Sequence, residues 1–103
     1  MRKANIFVNG YLAGELVEIR RGKEYQFTYI ENYKGPSVSL EMPTTRSVYK
    51  FDRFPPFFEG LLPEGIMLEG LLRQAKIDRD DLFLQLITVG GDMVGNVTVE
   101  VSS

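Results

Sequence analysis

Two of the side chains that carry most enzyme chemistry are missing: the 103 residues contain no histidine and no cysteine. Imidazole general bases, thiolate nucleophiles and Cys/His metal sites fall away together, leaving carboxylates, lysine, tyrosine and hydroxyls. The densest carboxylate group is Asp78, Asp80 and Asp81. It can be read as a cation site or as a helix start, with Asp78 as the cap and its neighbours as first-turn acids favoured by the helix dipole; the second reading explains all three. Gly90-Gly91-Asp92-Met93-Val94-Gly95 is glycine-rich, yet it follows a helical pattern, precedes a strand pattern and lacks lysine. A phosphate-binding loop needs the opposite order, so this is a tight helix-to-strand turn. Tyr25, Phe27 and Tyr29 alternate beside Arg20, Arg21 and Lys23. Such a row could stack bases on an open sheet, but with so few cations nearby it reads better as a core-facing row. No catalytic residue, no metal site and no cofactor is assigned.

The elements that would position these residues fit one domain, residues 1–103, of 44% apolar and 25% charged composition. Ala4, Ile6 and Val8 alternate along a first strand, closed by the hairpin signal Asn9-Gly10. A second strand covers Leu16 to Ile19 and turns at Arg20-Arg21-Gly22-Lys23, and Tyr25, Phe27 and Tyr29 mark a third. After Gly35-Pro36, Val38, Leu40 and Met42 alternate with polar residues, which predicts a short strand ending at Pro43, and a strand turn is expected at Val48 to Phe51. Pro63 suits the first position of a helix whose buried stripe is Leu68, Leu71, Leu72 and Ala75. A second helix buries Leu82, Phe83, Leu86 and Ile87 and stops at Gly90-Gly91. Val97, Val99 and Val101 form a last strand returning to the same sheet. The fold class is α+β: a small antiparallel, partly barrel-like sheet with two helices between the early strands and the last one.

The apolar run Ile6-Phe7-Val8 is too short for a signal-peptide core, and no window approaches the roughly 20 apolar residues of a membrane span; a cytoplasmic protein without membrane contact is expected. The net charge of −2 argues against direct nucleic-acid binding. The charge is divided, +3 over residues 1–53 and −5 over residues 54–103. Two readings stand: an acidic patch steered toward a basic partner, or helices collecting solvated carboxylates.

The acidic half also holds FPPFFEGLLPEGIMLEGLL at 54–72, where paired prolines and phenylalanines sit beside two Gly-Leu-Leu runs. With Leu68 at the centre of the buried stripe, Ile66 lies about 160° around the helix and Met67 about 90° to one side. Ile66 then points outward from a turn stiffened by Pro63, beside Glu64, Gly65 and Glu69. With Phe57, Phe58, Glu59, Leu61 and Leu62 just upstream, these residues form the candidate partner-binding site. The competing arrangement tucks Ile66 under the loop of residues 43–55. Phe57 and Phe58 are adjacent, so at least one belongs to the core.

FFEGLLPEG at 57–65, SVSLEMP at 37–43, IFVNGYLAGEL at 6–16 and VGGDMVGN at 89–96 together resemble the amino-terminal subdomain of HipA-type toxin kinases. They come in the family's order and span nearly the whole chain; the 57–65 run is the specific part. In that family the subdomain leads into a kinase core that carries the catalytic groups, all expected beyond Ser103, so the resemblance implies a chain that is not itself an enzyme. The start at Met1 and the end at Val101-Ser102-Ser103 suggest a stand-alone version, similar to the HipS antitoxin of three-gene HipBST modules. The resemblance implies a HipT-like Ser/Thr kinase toxin as partner, with a HipB-like DNA-binding protein in a ternary complex as a further partner. The alternatives are an accessory subunit for operator binding and a piece of a full-length kinase.

Overall fold

The computed structural model describes residues 1–92 and 95–102. Five strands, β1 (Arg2–Val8), β2 (Tyr11–Arg20), β3 (Glu24–Tyr29), β4 (Val48–Phe51) and β5 (Val97–Val101), form one antiparallel sheet in the order β4-β3-β2-β1-β5. Between β4 and β5 the chain makes three helices, α1 (Pro56–Glu59), α2 (Gly65–Ala75) and α3 (Leu82–Val89), then a 3₁₀ turn over Gly90–Asp92. The α+β expectation holds. The sheet is open, with β4 and β5 as its two edges. One helix more than expected is present, the single turn α1, with Pro56 at its first position.

Asn9 and Gly10 join β1 to β2 with φ of 52° and 83°, the left-handed pair that matches the twist of a two-residue hairpin. One face of the sheet is sealed: Ala4, Ile6 and Val8 of β1, Leu16 of β2, Tyr25, Phe27 and Tyr29 of β3 and Val97 and Val99 of β5 are all buried. The row Tyr25, Phe27, Tyr29 therefore faces the core and is not available to stack bases. Phe58 of α1 and Phe83 and Leu86 of α3 close over this face.

The strand expected over 37–43 does not form. Val38 and Met42 are buried as the alternation implied, but Leu40 between them is 97% exposed, and the segment runs as bends and turns. Both sides of β3 are taken, by β2 and β4, and the segment makes no ladder with the free edge of β4 either. Tyrosine hydroxyls take the place of a ladder. Tyr29 accepts from the Val38 amide at 2.9 Å and donates to the Met42 carbonyl, and Tyr49 donates to the Pro43 carbonyl.

Candidate functional site

The turn from α1 into α2 divides the apolar residues of the 54–72 stretch between the core and the surface. Phe54, Pro55, Phe58 and Leu62 are buried, while Phe57 and Leu61 pack partly against the core. Phe58 and Leu62 thus support the surface from beneath and present nothing to a partner. Phe57 stands edge-on to Phe58, their ring centroids 5.2 Å apart, so of the adjacent pair one is core and the other half-exposed.

Pro63 does not begin α2. Gly65 does, with φ of +60°, directly after Glu64, the extended N-cap residue. A Cβ at Gly65 would meet nothing within 4 Å, so the glycine is needed for backbone conformation and not for space. Directly after it, Ile66 is 90% and Met67 75% exposed. Ile66 is not folded under the 43–55 loop. Glu59, Glu64 and Glu69 surround this corner, all exposed, and Glu69 pairs with Arg79 at 2.6 Å.

The expected buried stripe of α2 is only partly realised. Leu68, Leu71 and Leu72 are half-buried, Ala75 is exposed, and no residue of the helix is fully buried. A Cβ on Gly70 would meet empty space within 4 Å. The helix therefore stands off the body along much of its length, held at its far end by Ile77, which is buried and donates its amide to the Leu72 carbonyl. Helical periodicity records an apolar face; whether the parent domain covers that face depends on where the preceding turn aims the axis.

The carboxylate cluster resolves differently from its sequence reading. Asp81, not Asp78, is the α3 N-cap, accepting from the Leu84 amide at 3.2 Å. The buried Gln85 side chain occupies the place next to the Asp78 carbonyl, donating to it and to the Arg79 carbonyl. Asp81 also receives Arg2 through both terminal nitrogens, at 2.9 and 3.1 Å, and Arg21 at 2.7 Å. Arg2 continues to Glu18 at 2.7 Å, and Glu18 accepts from the Tyr25 hydroxyl at 2.8 Å. This cluster joins β1, the β2–β3 turn and the start of α3.

Burial, the largest single influence on the Asp81 carboxyl, acts to raise its pKa. The hydrogen bonds from Arg2 and the Leu84 amide, with the charges of Arg2 and Arg21, outweigh it and leave the group below its ordinary value. The Tyr25 phenol is pushed up to about 12, by burial first and then by its bond to Glu18. A carboxyl whose folded pKa is depressed contributes stability that is complete above its unfolded value, near 3.9, and is lost as pH falls through the folded value. Asp81→Asn keeps a capping oxygen but gives up the charge, so it should cost about 1–3 kcal/mol at neutral pH. Below about pH 4 the gap from the parent chain should begin to narrow, closing only once pH has fallen through the lower folded value of Asp81. Urea midpoints between pH 7 and pH 2 measure this; parallel curves for the two proteins would mean that Asp81 carries no such linkage.

Two features have no distinctive sequence signal. Leu40 fits a strand alternation, although it stands between Pro36 and Pro43, a setting in which a rigid loop is as natural as a strand. An apolar pocket of about 250 Å³ between the 41–42 loop, the end of β4 and the start of α1 has no periodic signature at all. Of the glycine-rich turn, Met93 and Val94 lie outside the described residues. Among the described residues no helix is long and apolar enough to cross a membrane.

Comparison with known proteins agrees with this arrangement. The family model for the HipA N-terminal domain matches residues 4–100. A Haemophilus influenzae protein described as uncharacterized is 32% identical over 100 residues, which cover 97% of this chain and 92% of that one. A putative kinase of Sinorhizobium fredii is 39% identical over 80 residues, 72% of this chain but only 20% of that protein. The solved N-terminal domain of HipA toxin superposes with a TM-score of 0.78 at 30% identity, over 100% of this chain and 94% of that one.

Proposed function

The chain belongs to the HipA N-terminal domain family, and from that premise we propose that it is a non-catalytic antitoxin subunit, HipS-like in role, that binds a HipT- or HipA-like Ser/Thr kinase and holds it inactive. The observation that carries this reading is the pair Ile66 and Met67, 90% and 75% exposed on the first turn of a helix that stands off its own domain. An isoleucine this exposed gains nothing from folding. It gains when a second surface covers it, and the stiff approach through Pro63 lowers the ordering cost of that step.

Phosphoryl transfer relies on aligned groups and closed lobes, and little covalent work is done by the enzyme itself. A wedge that holds two lobes slightly apart is therefore enough to stop it. In this mechanism Ile66 is the anchor, Met67 adapts to the cleft wall, and Glu59 and Glu64 steer the turn toward a basic surface, while Glu69 is already paired with Arg79. Phe57 and Leu61 extend the contact at its edge.

A second reading makes the chain an accessory subunit that seats the kinase on a HipB-like DNA-binding protein. It is favoured by a separate groove of about 520 Å³ beside Tyr11, Leu12 and Ile30, exposed by 76, 39 and 39%. A third makes it the first part of a longer kinase, as the 20% share of the Sinorhizobium fredii protein illustrates. Co-expression with a HipT-like kinase, co-purification and a growth test separate the three. The antitoxin reading expects a stable complex and restored growth. An operator gel-shift that tightens without any growth rescue favours the accessory role, and absence of a complex overturns both.

A further inference from the structure

Beside the proposed docking turn lies the 250 Å³ pocket, walled by Met42, Phe51, Pro55 and Phe57. Met42 and Pro55 are buried, so the floor is firm, whereas Phe51 and Phe57 are half-exposed and form the sides. Leu40, 97% exposed, sits next to the lip formed by Glu41. A loop tied down by the Tyr29 and Tyr49 hydroxyls holds it there. The volume is below that of most small-molecule sites and close to that of one large side chain.

We infer that this pocket receives one bulky apolar side chain of the partner kinase, flanked by lysine or arginine, while Leu40 covers it from the side. The inference rests on the antitoxin reading. Its occupant follows from two observations. Phe57 belongs both to the pocket wall and to the segment that leads into Ile66, so a partner that contacts Phe57 at the edge of the turn also meets the pocket. The rim carries Glu41 and Asp52 with Arg53; its α1 side adjoins the exposed Glu59 and Glu64, whereas the side shared with the next groove through Phe51 and Asp52 carries Arg20, Lys23 and Lys50, so the acidic side, toward α1 and the turn, is where a partner cation fits. An apolar knob with a neighbouring positive charge is complementary to that rim. The two partners then exchange anchors: Ile66 enters the kinase, and the kinase fills the pocket.

The chain contains no cysteine, so a single introduced one can be labelled cleanly. Asp52→Cys, carrying a bulky maleimide dye, places a plug at the pocket mouth. Glu100→Cys carries the same dye on β5, at the opposite edge of the sheet, roughly 19 Å away across four strand spacings. Both labelled proteins are first required to melt like the parent. Affinity is then measured for the kinase that co-purifies with the chain. The plug at position 52 should weaken binding at least tenfold, Leu40→Ser about threefold or more, and the label at position 100 less than twofold. If Ile66→Asp destroys binding while the plug at 52 leaves it unchanged, the pocket inference is overturned and the docking turn stands. If the plug acts and Ile66→Asp does not, the turn is wrong and the pocket is the main contact. If neither acts, or no kinase co-purifies, the inference falls with its premise.

Discussion

Ile66→Asp should abolish kinase neutralisation while the domain stays folded. The side chain is 90% exposed and so takes no core packing with it when replaced. It occupies the second position of α2, where the positive helix terminus favours a carboxylate, so folding stability should be unchanged or slightly higher. At the interface the consequences reverse. Loss of a central apolar anchor costs about 2–4 kcal/mol, roughly a 30- to 1000-fold loss of affinity. A carboxylate forced into a dry cleft without a partner costs more again. Calorimetric titration against the kinase reads the affinity, and a growth assay reads the neutralisation. Full rescue by the variant would remove this turn from the mechanism.

The second large effect lies eight residues earlier and has the opposite origin. Phe58→Ala should unfold much of the population, because Phe58 is fully buried and packs against Phe57 at 5.2 Å and Phe27 at 6.3 Å between ring centroids. Removing a core phenylalanine costs about 3–5 kcal/mol, a large share of the 5–15 kcal/mol by which such domains are stable. At about 4–8 °C per kcal/mol for a chain of this size, the melting midpoint should fall on the order of 20 °C. Both variants are expected to fail in the growth assay, yet only this one should lower the melting midpoint. A midpoint within a few degrees of the parent would show that α1 is not pinned beneath the sheet.

These two residues illustrate what could be read in advance. The strands of the amino-terminal hairpins were legible because a half-buried strand writes period 2 into its own residues, and Asn9-Gly10 names its turn by conformational need alone. The α3 core face, Phe83 and Leu86 with partly buried Leu82 and Ile87, was legible for the same local reason. The cap expected at Asp78 lies at Asp81, since three aspartates within four residues offer the same local chemistry. Arg2 and Arg21, arriving from 79 and 60 positions away, distinguish them. Val38, Leu40 and Met42 form an alternation indistinguishable from a strand until the Tyr29 and Tyr49 hydroxyls are seen taking the segment's backbone groups in place of a ladder.

The sequence alone therefore determined the order and type of most elements, the hairpin chemistry and the family motifs, all of which are short-range properties of neighbouring side chains. The tertiary structure decided which equally apolar residues are covered. Phe58 and Ile66 are both greasy residues two or three positions after a proline, but one packs against Phe27 and the other faces water, because burial is set by what packs opposite a side chain and no residue encodes that in its neighbours.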